Sequence, residues 1–90
     1  MNKADLIERV SKDTNLTKTQ VETVLNCITD WIKKAIRKDE DVKLVGFGTF
    51  TKSKRKARTG RNPQTGAEIK IPASNTPKFK PGKEFKQLIN

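Results

Sequence analysis

Ninety residues carry twenty Lys/Arg against ten Asp/Glu, with no His and no Tyr, for a formal charge of +10 and a pI near 10.1. This suits one small domain or one protomer of a dimer, with a polyanion as the leading partner. The single Cys excludes an internal disulfide, Cys/His zinc spacing is absent, and no apolar run approaches the length of a membrane span.

The charge is unevenly spread. Residues 1–41 hold eight Lys/Arg and eight Asp/Glu, whereas residues 42–90 hold twelve Lys/Arg against Glu68 and Glu84 alone. A surface charged only for solubility mixes the signs throughout, so this split favours a binding face. Met1-Asn2-Lys3-Ala4-Asp5 leads into an amphipathic pattern and not into the apolar core of a leader, so a reducing cytosol is the expected setting.

Two helices are predicted in the neutral part. Asn2 suits an N-cap with Asp5 in the first turn, and Leu6, Ile7 and Val10 share a face. Asn15 ends that pattern. Thr17 and Gln20 have the spacing of a capping box, with Leu16 placed to staple onto Val21. The stripe Val21, Val24, Leu25, Ile28, Trp31, Ile32, Ala35 and Ile36 then predicts a second helix of about five turns. Lys33, Lys34, Arg37 and Lys38 suit the negative end of its dipole, and a solvated helix end accounts for them as well as a nucleic-acid contact does. Trp31 reads as core or dimer packing, and Cys27 as a small buried apolar residue with no basic partner for catalysis.

The cationic part reads as strands. Asp39-Glu40-Asp41 is a polar turn, and Val42 and Leu44 precede a tight turn at Gly46-Phe47-Gly48. From Thr49 a strand runs on through Lys52, Lys54, Arg55, Lys56, Arg58 and Arg61 to a turn at Asn62-Pro63-Gln64-Thr65. Ala67, Ile69 and Ile71 alternate with Glu68 and Lys70 on the way back. Pro72 and Pro77 confine the returning chain to bends or edges, and Pro81-Gly82-Lys83 opens a last helix with Phe85, Leu88 and Ile89 on one face. Residues 52–73 are thus expected as one two-stranded arm with strands projecting roughly 30 Å. It has little to bury and much to hold a polyanion. A basic edge hairpin that merely resists aggregation is the plainer reading, but one or two lysines suffice for that. The remaining body is small for a self-sufficient core. A two-fold dimer is therefore inferred, with Val24, Ile28, Trp31, Ile32, Leu44, Phe47, Phe50 and Phe79 at the interface or core.

Gly46-Phe47-Gly48-Thr49-Phe50, Ala57 to Gly66, Ile71-Pro72-Ala73 and Pro77 to Lys83 together resemble the bacterial HU/IHF family of histone-like DNA-bending proteins, and nearer HU. HU and IHF are themselves standard instances of minor-groove architectural proteins. The resemblance covers the whole chain. It implies an α+β fold in one domain, 1–90: an intertwined homodimer with a helical base (1–41), an antiparallel sheet saddle and C-terminal helix (42–51 and 74–90), and two extended β-ribbon arms (52–73). It implies double-stranded DNA as partner, met at the minor groove and phosphate backbone, in a bacterial cytoplasm and nucleoid. Lys52, Lys54, Arg55, Lys56, Arg58, Arg61 and Lys70 would be arm cations; Asn62, Gln64 and Thr65 would flank Pro63, the intercalating wedge. Lys3, Lys80, Lys83 and Lys86, with the Gly46 and Gly48 backbone, would meet phosphates from the body. The chain departs from the family pattern at Asp39, where Gly is common, so the turn there is expected to differ; Cys27, Trp31 and Phe85 are also atypical.

No cofactor or metal is implied, and no acid–base or metal constellation suggests an enzyme. A site-specific IHF-like bending factor is the nearest alternative, since deformability can supply specificity. RNA is a possible ligand, although an aromatic stacking platform is missing. A membrane surface is not favoured, because the arm has no Trp, Phe or Leu to insert.

Overall fold

The computed structural model describes residues 1–90, in two compact units, 1–34 and 35–90. In the first, helix α1 (Lys3–Thr14) starts in a full capping box. The Asp5 amide donates to Asn2 Oδ1 at 2.9 Å, and the Asn2 amide to Asp5 Oδ2 at 3.1 Å. Asn15, at φ 60°, ends α1 in the left-handed conformation that a short polar side chain tolerates. Helix α2 (Lys18–Arg37) starts the same way: Gln20 N donates to Thr17 Oγ1 at 3.1 Å and Thr17 N to Gln20 Oε1 at 2.9 Å. Ile7 and Val21 are buried, but the trough that they share with Leu6, Val10, Val24, Leu25 and Ile28 stays open.

The second unit begins with the end of α2. Asp39 N donates to Ile36 O at 3.1 Å and Glu40 N to Ala35 O at 2.9 Å, with Asp39 at φ 63°. This is a Schellman termination with an aspartate at the position that glycine usually fills. Asp39 thus adopts a left-handed conformation that glycine takes more readily than aspartate. Strand β1 (Val42–Leu44) turns through Val45 and Gly46 into β2 (Gly48–Arg55), with Phe47 N bonded to Leu44 O at 3.0 Å. Gly46, at φ 86°, is the residue that lets a type II turn close. Strands β3 (Arg58–Arg61), β4 (Glu68–Ile71) and β5 (Ser74–Pro81) follow, then helix α3 (Lys83–Ile89).

One antiparallel sheet has the order β1-β2-β5; β3 and β4 pair only with each other. Pro77, which lacks an N–H, sits in β5, an edge strand. Phe47, Phe50, Phe79 and Phe85 form one aromatic cluster, with Phe50 and Phe79 ring centroids 4.9 Å apart and Phe47 stacked on Phe85 at 5.4 Å.

The arm differs from two unbroken strands. Residues 52–55 belong to the three-stranded sheet, and pairing lapses at Lys56–Ala57 and Pro72–Ala73. The register does not slip: Arg55 pairs with Ser74 below the gap and Arg58 with Ile71 above it. Pro72 cannot donate to the ladder, which accounts for a break without a change of partner. Cys27 is exposed, not buried. It lies beside the open side of the stripe, where Val24 and Ile28 are also about half exposed. Leu88 and Ile89 are likewise exposed, whereas Phe85 is half-buried.

Candidate nucleic-acid interface

Alternation along β2 sorts its side chains into two faces. Phe50, Lys52 and Lys54 share the aromatic face, opposite Phe79, Pro77 and Asn75. Thr49, Thr51, Ser53 and Arg55 take the other face, opposite Lys80, Lys78, Thr76 and Ser74. Arg55 and Lys80 therefore share one face, spaced along it, and Lys78 joins them there, which sequence reasoning missed because an isolated lysine carries no face until its register is known. Lys52 and Lys54 lie on the opposite side.

Those two lysines are also engaged. Lys52 Nζ stands 2.9 Å from Asp39 Oδ1 and donates to Arg37 O at 3.3 Å, and Lys54 Nζ is 3.3 Å from Asp39 Oδ2. Hydrogen bonds from Lys52 first, then Lys54, hold the Asp39 carboxyl below the ordinary carboxylate range. The stem of Lys52 is largely covered, its side chain 15% exposed against 64% for Lys54.

In the ribbon, Arg58 faces Ile71 and Gly60 faces Ile69, while Thr59 faces Lys70 and Arg61 faces Glu68. Arg58 and Arg61 thus point to opposite faces, one guanidinium on each side. The tip is built by local hydrogen bonds: Gln64 N to Asn62 Oδ1 at 2.9 Å, Gly66 N to Asn62 O and Asn62 N to Ala67 O, both 2.8 Å, and Ala67 N to Thr65 Oγ1 at 3.3 Å. Gly66 takes φ 71° to close the loop. The Asn62 side chain is consumed in this turn, and Pro63 stands exposed at its end.

Below the sheet, Gly46, Gly48 and Lys83 line one shallow depression, with Glu84 and with Lys43, a cation that sequence reasoning also missed. Gly82 N donates to Phe47 O at 2.9 Å and ties the start of α3 to the turn. Lys56, Lys70 and Lys86 are exposed. Lys3 lies in the first unit, where its ammonium bonds Asn26 Oδ1. Of the inferred interface residues, Val24, Ile28, Trp31, Leu44, Phe47 and Phe79 are exposed in the single chain, and Ile32 and Phe50 are half-buried. The Lys34 ammonium lies 5.2 Å from the centre of the Trp31 ring.

Comparison with known proteins agrees with this architecture. Residues 1–90 match the family described as bacterial DNA-binding protein. The chain is 48% identical over 90 residues to DNA-binding protein HU-alpha of Pseudomonas aeruginosa, covering all of both chains. It is 46% identical over 89 residues to DNA-binding protein HU of Geobacillus stearothermophilus, covering 99% of each. Among solved structures, Anabaena HU in a cocrystal with DNA superimposes with a TM-score of 0.86 at 40% identity, over 99% of this chain and 97% of that one. HU from Thermotoga maritima gives 0.71 at 33% identity over the full length of both. The chain belongs to the bacterial DNA-binding protein family, as an HU-like member.

Proposed function

We propose that this protein is an architectural binder of double-stranded DNA that wraps and bends its partner in the bacterial nucleoid, with little sequence preference and without catalysis. The observation that carries this reading is the ribbon β3–β4. It pairs only with itself, carries an arginine on each face, and ends in an exposed proline. A thin cationic ribbon suits a minor groove, whose two phosphate walls can each receive a guanidinium. At the tip, an apolar ring can enter between base pairs. Unstacking a step costs a few kcal/mol, which a bend that brings more basic surface onto the duplex offsets.

The working form is a homodimer, in a bacterial cytoplasm. In the single chain the only well-buried apolar side chains are Ile7, Val21 and Ile36, while Val24, Ile28 and Trp31 of α2 remain exposed. A second copy would cover this stripe and supply a second arm. RNA is the weaker reading: the ribbon β3–β4 and its tip carry no aromatic side chain on which an unstacked base could lie.

Two measurements test this. Sedimentation at micromolar concentration should report a dimer; a stable monomer overturns the paired-arm reading. Binding to duplex, nicked duplex and single-stranded RNA should be compared at two salt concentrations with random-sequence competitor. Preference for the nicked duplex, little effect of sequence and a steep salt dependence are expected. Equal or tighter binding to RNA would refute duplex DNA as the partner.

A further inference from the structure

We propose that Asp39 and Lys52 form a latch between the end of α2 and the root of the arm, which withdraws Lys52 from phosphate binding, and that Lys78 joins Arg55 and Lys80 on the opposite, phosphate-facing side of the sheet. This rests on the duplex-DNA reading and divides the cations of β2 and β5 into two jobs.

Three observations converge on it. Alternation places Lys52 and Lys54 with Phe50, while Arg55, Lys78 and Lys80 share the other side. Lys52 is bound twice, to Asp39 and to the Arg37 carbonyl, and its side chain is mostly covered. Reaching a phosphate would break both bonds and uncover the stem. An exposed ion pair contributes little by itself, but here the Lys52 stem is largely covered, so moving its ammonium away also uncovers apolar stem. The ion pairs of the protein are Lys12–Glu8, Lys52–Asp39 and Lys54–Asp39, so Arg55, Lys78 and Lys80 are not committed to a carboxylate.

The third observation is the backbone of Asp39. A left-handed residue in a Schellman turn is most easily a glycine, and an aspartate there carries a conformational cost. Its carboxylate spans both lysines of β2, one oxygen each. That role accounts for a side chain where none is needed for the turn. Asp39 acts as a positioning residue: it fixes β2 at the point where the sheet gives way to the arm.

The test follows lysine side-chain ¹⁵Nζ resonances of the wild-type protein during titration with a random-sequence duplex. Lys78 and Lys80 should shift and Lys52 should not. In parallel, Lys52→Gln should leave the slope of log affinity against log salt unchanged, and lower Tm by roughly 2–4 °C at fixed protein concentration. Lys78→Gln/Lys80→Gln should reduce that slope by about 0.9 for each phosphate no longer neutralised, with Tm unchanged. A Lys52 shift comparable to that of Lys80, a lower salt slope in Lys52→Gln, or an unaltered Tm would each overturn the latch. If no lysine shifts at all, the duplex-DNA reading itself fails, a result distinct from a moving Lys52. The titration needs no variant, so a Lys52→Gln protein that does not fold leaves it decisive.

Discussion

Gly48 lies against the ring of Phe79. A Cβ on Gly48 would stand 2.5 Å from Phe79 Cζ and 2.6 Å from the Lys80 carbonyl oxygen. Both contacts are closer than atoms can approach, and one is with backbone that cannot swing aside. Gly48→Ala should therefore destabilise the protein by about 1–3 kcal/mol, the usual cost of overpacking. Urea unfolding at fixed protein concentration measures it. Adding Phe79→Leu should recover only part of the loss, since the clash with Lys80 O remains.

Arg58 and Arg61 occupy opposite faces of the ribbon. If each meets a different wall of the groove, their contributions to the salt dependence are separate. Each single change to Ala should flatten the slope of log affinity against log salt by about 0.9 for every phosphate that the arginine neutralised, and the double variant should show the sum. A fluorescence titration over a series of salt concentrations checks it; a double variant with the wild-type slope would show that the ribbon is not the grip.

Pro63 takes part in none of the hydrogen bonds that build the tip; these belong to Asn62, Thr65 and the backbone of neighbouring residues. Pro63→Ala should thus keep the ribbon and most low-salt affinity while reducing the bend angle. FRET between the ends of a labelled duplex reads this directly. An unchanged angle with unchanged affinity would remove Pro63 from the role of wedge.

Asp39 gives a pH dependence with a definite sign. Its folded-state carboxyl is held below the ordinary range, chiefly by Lys52 and then by Lys54, so folding favours the charged form. The stabilisation is fully present above the ordinary carboxylate range and is lost as the pH falls through the lowered value. Wild type should lose Tm on acidification through this window more steeply than Asp39→Asn. Parallel curves would show that the pair contributes nothing to folding.

Local chemistry made much of this protein legible. The Thr17–Gln20 and Asn2–Asp5 boxes close over three residues, and the turn at Gly46 needs only its neighbours, so sequence spacing suffices to find them. The tip from Asn62 to Gly66 is equally self-contained. Ile69 and Ile71 showed a strand by alternation, but the same pattern did not reveal the gap opposite Lys56–Ala57, because a missing ladder bond at Pro72 interrupts pairing without disturbing register. Cys27 was misplaced for a related reason: helical period assigns a face, not what covers it.

The amino-acid order alone determined the two capped helices, the glycine turns, the proline-tipped hairpin and the concentration of charge after residue 41, since each depends on groups a few residues apart. Only the tertiary structure decided which cations are available. Lys52 and Lys80 are equivalent as letters, but register puts them on opposite faces of one sheet, and the end of α2 brings Asp39 within 2.9 Å of Lys52. A charge binds an outside partner according to what already surrounds it, and those surroundings are set by chain segments that meet only on folding.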